Sequence, residues 1–295
     1  MALQPQNLQH RLFQDLSKLK WNDLLNHSSQ HNKIRLTSCS AIGSSAFLRA
    51  PADSQGCHFT NEEFQIAIKM RINAPLNLLC PSRCICDSDL DDQGDHFFKC
   101  RIGPEWEQRH SSLVHCMASI LRSANLIEQH EVPLSTLGPL RDLDSSGDGR
   151  MDLTITSCDS TPLLADVTII HPIISQINPN SSSVTSPLHF AKHRERAKIR
   201  KYGDRVAQLR QQFLPFVLET FGAMGPMLDT YLKKLAHRAS RDSMLTQRAQ
   251  LIRCWRTKIS ACLQRANARL ILSKSHRVRA RLRQGTAPRE AISNF

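Results

Sequence analysis

Apolar residues recur at helical spacing through the first 35 positions, where Leu8, Leu12, Phe13, Leu16 and Leu19 predict one or two helices. Residues 36–58 are rich in Ser, Ala and Gly and predict irregular chain. A short helix is expected after Asn61, with Phe64, Ile66, Ile68 and Met70 as its apolar side. A longer helix is expected over 106–126, where Leu113, Met117, Ile120, Leu121 and Ala124 fall on one face. The period then changes. Residues 151–156 and 163–170 alternate apolar and polar, as half-buried strands do, after a Gly-, Asp- and Ser-rich loop at 138–149. A long Ser-, Asn- and Pro-rich loop is expected over 172–187 and a basic helix over 192–212. A third strand is expected over 213–221 (FLPFVLETF), ended by Gly222 and Gly225, then helix over 228–272 and a basic tail with little core over 273–295. No internal repeat is present. Strands joined by a helix that returns to the sheet predict an α/β chain.

Composition narrows the partners. The 295 residues suffice for one large domain or two modest ones. Hydrophobic residues make up 40% but aromatics only 5%, so the core must rest on Leu, Ile, Val and Ala. The net charge of +13 and pI of about 9.6 favour a polyanionic partner. No run of about 18 apolar residues occurs, so no membrane span is expected. Residues 1–16 lack the unbroken apolar stretch of a secretory signal. An intracellular chain, nuclear or cytoplasmic, is the expectation, and the polyanion there is DNA or RNA.

Ten cysteines are many for a reducing compartment, where they serve as metal ligands or buried thiols more often than as disulfides. Cys39, Cys57, Cys116, Cys158, Cys254 and Cys262 are scattered singly and read as core. Cys80, Cys84, Cys86 and Cys100 crowd around His96 instead. Cys84-Ile85-Cys86, nine residues, His96, three residues, Cys100 gives four N/S ligands within 17 positions, the set a tetrahedral zinc needs. The intervening segment (CDSDLDDQGDH) is too polar to bury a core, so the metal would supply its stability. Cys80 is an alternative to one of the four. With all four positions taken by protein, the zinc is structural. Arg83, Lys99 and Arg101 nearby are placed to touch phosphates.

Two acids sit on the predicted strands: Asp152 in Arg150-Met151-Asp152-Leu153-Thr154 and Asp166 in Leu164-Ala165-Asp166-Val167-Thr168. Alternation places Asp152 with Thr154 and Asp166 with Leu164 and Thr168. If the strands pair as a hairpin, the two carboxylates can meet at one end and form a hard-oxygen site for magnesium or manganese. A carboxylate among Leu163, Leu164, Val167, Ile169 and Ile170 is costly unless paired or metal-bound. Glu131, before Pro133, is either a third acid or an exposed loop residue. A lysine is also needed, to orient water or steady the leaving phosphate. The basic helix supplies two: Lys198 at the edge of an apolar face made by Ile199, Tyr202, Val206 and Leu209, and Lys201 pointing further toward solvent. Arg109 and His110, Arg150 beside the first acid, and Lys192, Arg194 and Arg200 on the basic helix are candidates for holding the nucleic acid.

The order of these features resembles the C-terminal region of non-LTR retrotransposon proteins that carry a restriction-like endonuclease. The shared series is a Cys-x-Cys…His-x-x-x-Cys knuckle, Arg-His on a helix, Glu before Pro, Arg-x-Asp and Asp-Val-Thr strands, and a Lys-x-x-Lys-Tyr helix. FLPFVLETFG at 213–222 and Gln264-Arg265-Ala266-Asn267 extend it, so that it covers roughly residues 45–272. The resemblance implies a PD-(D/E)xK core, a mixed sheet flanked by helices, preceded by the zinc knuckle and N-terminal helices. It implies magnesium-dependent cleavage of target DNA, with RNA of the parent element as a further partner. It matches Asp152 and Asp166 to the two motif acids, Glu131 to the upstream acid, and Lys198 or Lys201 to a lysine moved onto the helix. Met151 stands where the family usually has Pro, and Thr168 where restriction enzymes keep Lys. Reverse-transcriptase motifs are missing from the 295 residues, which implies the endonuclease end without its polymerase. The expected division is an N-terminal extension (1–44), a linker helix region (45–79), the knuckle (80–102), the endonuclease domain (103–272) and the basic tail (273–295).

Two other readings compete. One is an inactive nucleic-acid-binding remnant that uses the knuckle and basic helices alone, and has no use for two strand acids at one point. The other is a protein-binding adaptor, which a net charge of +13 disfavours.

Overall fold

A computed structural model describes residues 5–51, 56–78, 82–138, 149–157, 160–173, 186–241 and 247–283. Its helices are α1 (Pro5–Asn26), α2 (Gln30–Ser40), α3 (Asn61–Ile72), α4 (Asp95–Lys99), α5 (Glu105–Ser123), α6 (His189–Gln208), α7 (Pro226–Arg241) and α8 (Arg248–Arg283). Its strands are β1 (Ile127–Pro133), β2 (Arg150–Ser157), β3 (Ser160–Ile170) and β4 (Gln212–Glu219). The loops expected around 138–149 and 172–187 lie largely outside the described residues, as do Cys80 and Cys158. No helix among the described residues is long and apolar enough to cross a membrane.

The fold is mixed α/β with a four-stranded sheet in the order β1-β2-β3-β4. β1 and β3 pair antiparallel with β2, and β4 pairs parallel with β3 after the crossover through α6. The expected hairpin of two alternating strands is therefore present. β1 was not foreseen, because IEQHEVP has few apolar positions and is mostly exposed. The basic helix ends at Gln208, earlier than the expected 212, and Gln212 already opens β4.

Each face of the sheet buries a different partner. Leu164 of β3 packs with Tyr202 and Val206 of α6. Ala165 and Val167, pointing the other way, join Leu113, Met117 and Ile120 of α5, Leu228 and Leu232 of α7, and Ile259 and Leu263 of α8. The apolar face expected for α5 is buried along its whole length, and Ala124 just beyond it is buried too.

A second cluster joins Ile34 of α2, Met70 of α3, Phe97 and Phe98 of α4, Phe221 beyond β4, and Ile271 and Val278 of α8. One apolar core thus crosses the expected divisions at 44 and 102. The division at 272 falls inside α8, where Lys274, Ser275 and Val278 are buried, so the expected core-poor tail is corrected as far as Arg283. The apolar positions of α8 are diluted by arginines, which hid its continuation from pattern reading. The face of α3 is also corrected. Ile66, Ala67 and Met70 are buried while Phe64 is 43% exposed. The expected set (64, 66, 68, 70) steps by two, and a helix cannot place such a set on one side. Thr60 and Glu63 close a reciprocal capping box at the start of α3. α1 stands apart, with Leu8, Leu12, Phe13, Leu16 and Leu19 all exposed.

Asp229 in the first turn of α7 is buried and clasped by Lys233 at 2.7 Å and by Arg256 of α8. Burial alone would raise its carboxyl pKa, but Lys233 and Arg256 together hold it below the ordinary value. A depressed carboxyl contributes stability that is complete above the unfolded value of about 4 and is lost as pH falls through the folded value. Asp229→Asn should therefore destabilise by about 2 kcal/mol at pH 7, read as the denaturant midpoint. Its deficit against wild type should shrink as the pH falls below about 4; a deficit that stays constant to pH 3 contradicts the assignment.

Candidate functional site

The Cys/His segment closes on itself. A bridge between Arg83 and Asp89 and a turn at Asp87, whose φ is 66°, set Cys84 and Cys86 side by side. Gly94, at φ 75°, turns the chain into α4, and the Asp91 carboxylate accepts from the N–H groups of Asp95 and His96, each at 2.8 Å. His96 sits in the first turn of α4 and Cys100 caps its end. The four ligand atoms lie within 4.8 Å of one another. Cys84 and Cys100 sulfurs are 3.8 Å apart and Cys86 Sγ is 3.2 Å from His96 Nε2. A tetrahedral zinc with bonds of about 2.3 Å to sulfur sets its ligands about 3.8 Å apart, so Cys84, Cys86, His96 and Cys100 form a group able to hold a metal such as zinc.

The hydrogen bond between Cys84 and Cys100 raises the Cys84 thiol pKa and lowers that of Cys100, which is pulled further down by His96 and the nearby Lys274 ammonium. Lys274 reaches in from α8 and donates to the carbonyls of Phe97 (3.1 Å) and Cys100, the end of α4. Arg35 of α2 forms a two-pronged bond to Asp95 at 2.9 and 3.1 Å. The knuckle is thereby fastened to both α2 and α8.

The strand acids lie beside it. The β2–β3 ladder pairs Leu153 with Ala165 and goes no further toward the start of β2. One step on, Asp152 and Asp166 would face each other. The strands part there instead, and the Asp152 carboxylate takes the Val167 N–H at 2.6 Å. The His110 Nε2–H, from α5, donates to the Val167 carbonyl at 2.9 Å and lies 3.2 Å from the same Asp152 oxygen. That carboxylate raises the His110 pKa against the effect of burial. Asp166, 6% exposed, accepts from the Thr168 hydroxyl at 2.8 Å through one oxygen and from Lys198 Nζ at 2.7 Å through the other.

Lys198 therefore comes from α6 to the acid pair. It lies inside the buried face of that helix, made by Ala191, Glu195, Tyr202 and Val206, while Ile199, assigned to that face from the sequence, is 40% exposed. Lys201 is exposed and rests over the Tyr202 ring, 4.9 Å from its centre. The two acids, His110 and Lys198 line a cleft of about 420 Å³ with Lys99, Arg101, Trp106, Thr168, His171 and Arg194.

Other expected site residues lie elsewhere. Glu131 falls opposite Asp152 in β1 but adopts a left-handed backbone, φ 54°, and its carboxylate pairs in the open with Arg150 at 3.6 Å. It does not join the acids, so its reading as a third acid is corrected. Among the described residues, the knuckle is the only group of three or more His, Cys, Asp or Glu side chains close enough to share a metal. Arg109, expected to touch nucleic acid, is corrected too. It is 2% exposed, donates to Asn267 at 3.3 Å and lies over the Phe98 ring, and burial pushes its pKa down to about 10. It ties α5 to α8. Lys192, Arg194, Arg200 and Arg150 are exposed, and of these Arg194 lines the cleft. Trp106 and His171 were missed. Trp106 is one residue into α5, in line with Leu113 and Met117, so its spacing reads as core and carries no separate signal for a site.

Compared with known protein families, the chain matches no family. No curated protein matches it either.

Zinc analysis of the purified protein should give one zinc per chain, and Cys84→Ser or His96→Ala should remove it. Stripping the metal should lower the thermal midpoint by on the order of 10 °C. A folded, metal-free preparation with an unchanged midpoint rules out the structural role.

Proposed function

We propose that this chain is a metal-dependent DNA endonuclease of the restriction-like kind, related to the C-terminal region of non-LTR retrotransposon proteins. The observation that carries this reading is the parting of β2 and β3 at Asp152 and Asp166, with Lys198 on the second acid. Two carboxylates at the open end of a strand pair, a lysine beside them and a basic cleft mouth form a set of groups suited to metal-dependent phosphodiester hydrolysis.

The donor set suits magnesium or manganese. Magnesium keeps several waters and is held through one or two carboxylates plus substrate phosphate oxygens. Asp152 and Asp166 suffice for that without Glu131. The metal would activate water and offset charge on the cleaved phosphate.

The protein's own groups prepare the site. The Val167 N–H and His110 fix Asp152, and the Thr168 hydroxyl fixes Asp166. Thr168 thus supports the acid from the position where restriction enzymes keep lysine. Lys198 supplies the positive charge from α6 instead, placed to orient water or steady the phosphate. Arg194, Lys99 and Arg101 line the approach and contribute phosphate contacts.

One observation favours the second reading, a nucleic-acid-binding protein without cleavage. The upstream acid is turned out to Arg150, leaving two carboxylates, one of them ion-paired. Cleavage decides between the two. Supercoiled plasmid should be nicked only with added magnesium or manganese. Asp152→Ala and Asp166→Ala should give no product above background, Lys198→Ala should slow nicking by about 10²-fold, and Lys201→Ala should stay near wild type. Equal nicking by wild type and the double-alanine variant sinks the endonuclease reading.

A further inference from the structure

Trp106 is 39% exposed in the first turn of α5 and lines the same cleft as Asp152 and Asp166. The Arg101 guanidinium lies over its ring, 5.7 Å from the centre. Phe98, the other aromatic ring of the lining apart from the histidines, is 3% exposed and stacked on His171. Trp106 therefore offers the one large aromatic surface at the mouth among the described residues. Single exposed apolar side chains are ordinary on protein surfaces. What distinguishes this one is its position, in a basic cleft beside two acids and under the Arg101 guanidinium.

We infer that Trp106 stacks an unpaired base, so that the site takes DNA whose strand is locally single: a flap, a bulge or a frayed junction. This rests on the nucleic-acid reading of the cleft but not on cleavage. A phosphate on an intact duplex can approach the acids from outside. Its base, stacked and paired within the helix, cannot reach the indole. The cleft of about 420 Å³ is of the size that admits a small ligand or a single nucleotide, and not a double helix. Stacking on an aromatic face tolerates any base, and the arginine over the ring adds a cation contribution. The preference is thus for an unpaired state and not for a sequence.

The test is equilibrium binding by fluorescence anisotropy, in buffer without added magnesium or manganese so that the strands stay whole and zinc stays bound. Three DNA probes of one sequence are compared: a continuous duplex, the duplex with one bulged nucleotide, and the same bulge made abasic. The bulged probe should bind on the order of ten-fold tighter than the duplex. The abasic bulge should fall back to the duplex value, and Trp106→Ala should erase the preference while Trp106→Phe keeps most of it. Equal affinity for the bulge with and without its base overturns the inference, as does a preference that survives Trp106→Ala. A protein that shows the preference and never cleaves refutes only the endonuclease reading. One that nicks duplex without preference for the bulge refutes only this one.

Discussion

A β-ladder that stops leaves backbone groups in need of partners, and the candidate site grows from that requirement. Beyond Leu153 and Ala165, β2 and β3 no longer pair, so the Val167 N–H loses its strand partner on the side of β2. A buried N–H without an acceptor costs as much as a lost hydrogen bond. The Asp152 carboxylate supplies the acceptor and is thereby held at the fork. Val167 remains paired to β4 on its other side, so the fork stands on a fixed strand. The His110 bond to the Val167 carbonyl then draws α5 onto the same point. One interrupted register accounts for the gap between strands, the position of the first acid and the place of the histidine.

The rest of the molecule keeps that fork open and charged. α6 covers one face of the sheet and delivers Lys198 to Asp166. Its N-terminal half is held by buried carboxylates: Glu219 of β4 accepts from the Ala191 N–H, and Glu195 accepts from the Met227 N–H at the start of α7. Burial raises both carboxyl pKa values, so these caps are anchors within the core and not exposed ion pairs. On the other side, Arg35, Asp95, His171, Phe98 and Phe221 form a packed series from α2 through α4 to the ends of β3 and β4. Phe98 of the knuckle's helix and His171, from this series, line one side of the cleft. Metal at Cys84, Cys86, His96 and Cys100 would set the position of Lys99 and Arg101 at the mouth.

Much of this was legible in the sequence, for definable reasons. Ligand spacing named the four knuckle residues, because four N/S side chains within so short a polar segment have few other uses. Alternation placed both strand acids, because a period of two survives whatever packs around it. Helical geometry preferred Lys198 to Lys201. The failures share a cause as well. Glu131 was misplaced because a left-handed residue inside a strand reverses a side chain without leaving a trace in hydrophobic pattern. Arg109 looked exposed because a buried arginine held by Asn267, 158 residues away, is a long-range event. The end of α8 was lost because Lys274 and its neighbours are buried by contacts to the knuckle, and arginines crowd the same turns. Local pattern reports which groups are available; it does not report which are turned inward by distant partners.

We propose that Asp152 and Asp166 share a divalent cation at the fork. A crystal structure grown in manganese, with anomalous scattering recorded on both sides of the manganese and zinc edges, reads this directly. A shared cation gives a manganese peak about 2.1 Å from an oxygen of each acid, with a separate zinc peak among Cys84, Cys86, His96 and Cys100. A zinc peak at the knuckle with no manganese between the two acids, and Lys198 still on Asp166, would contradict it.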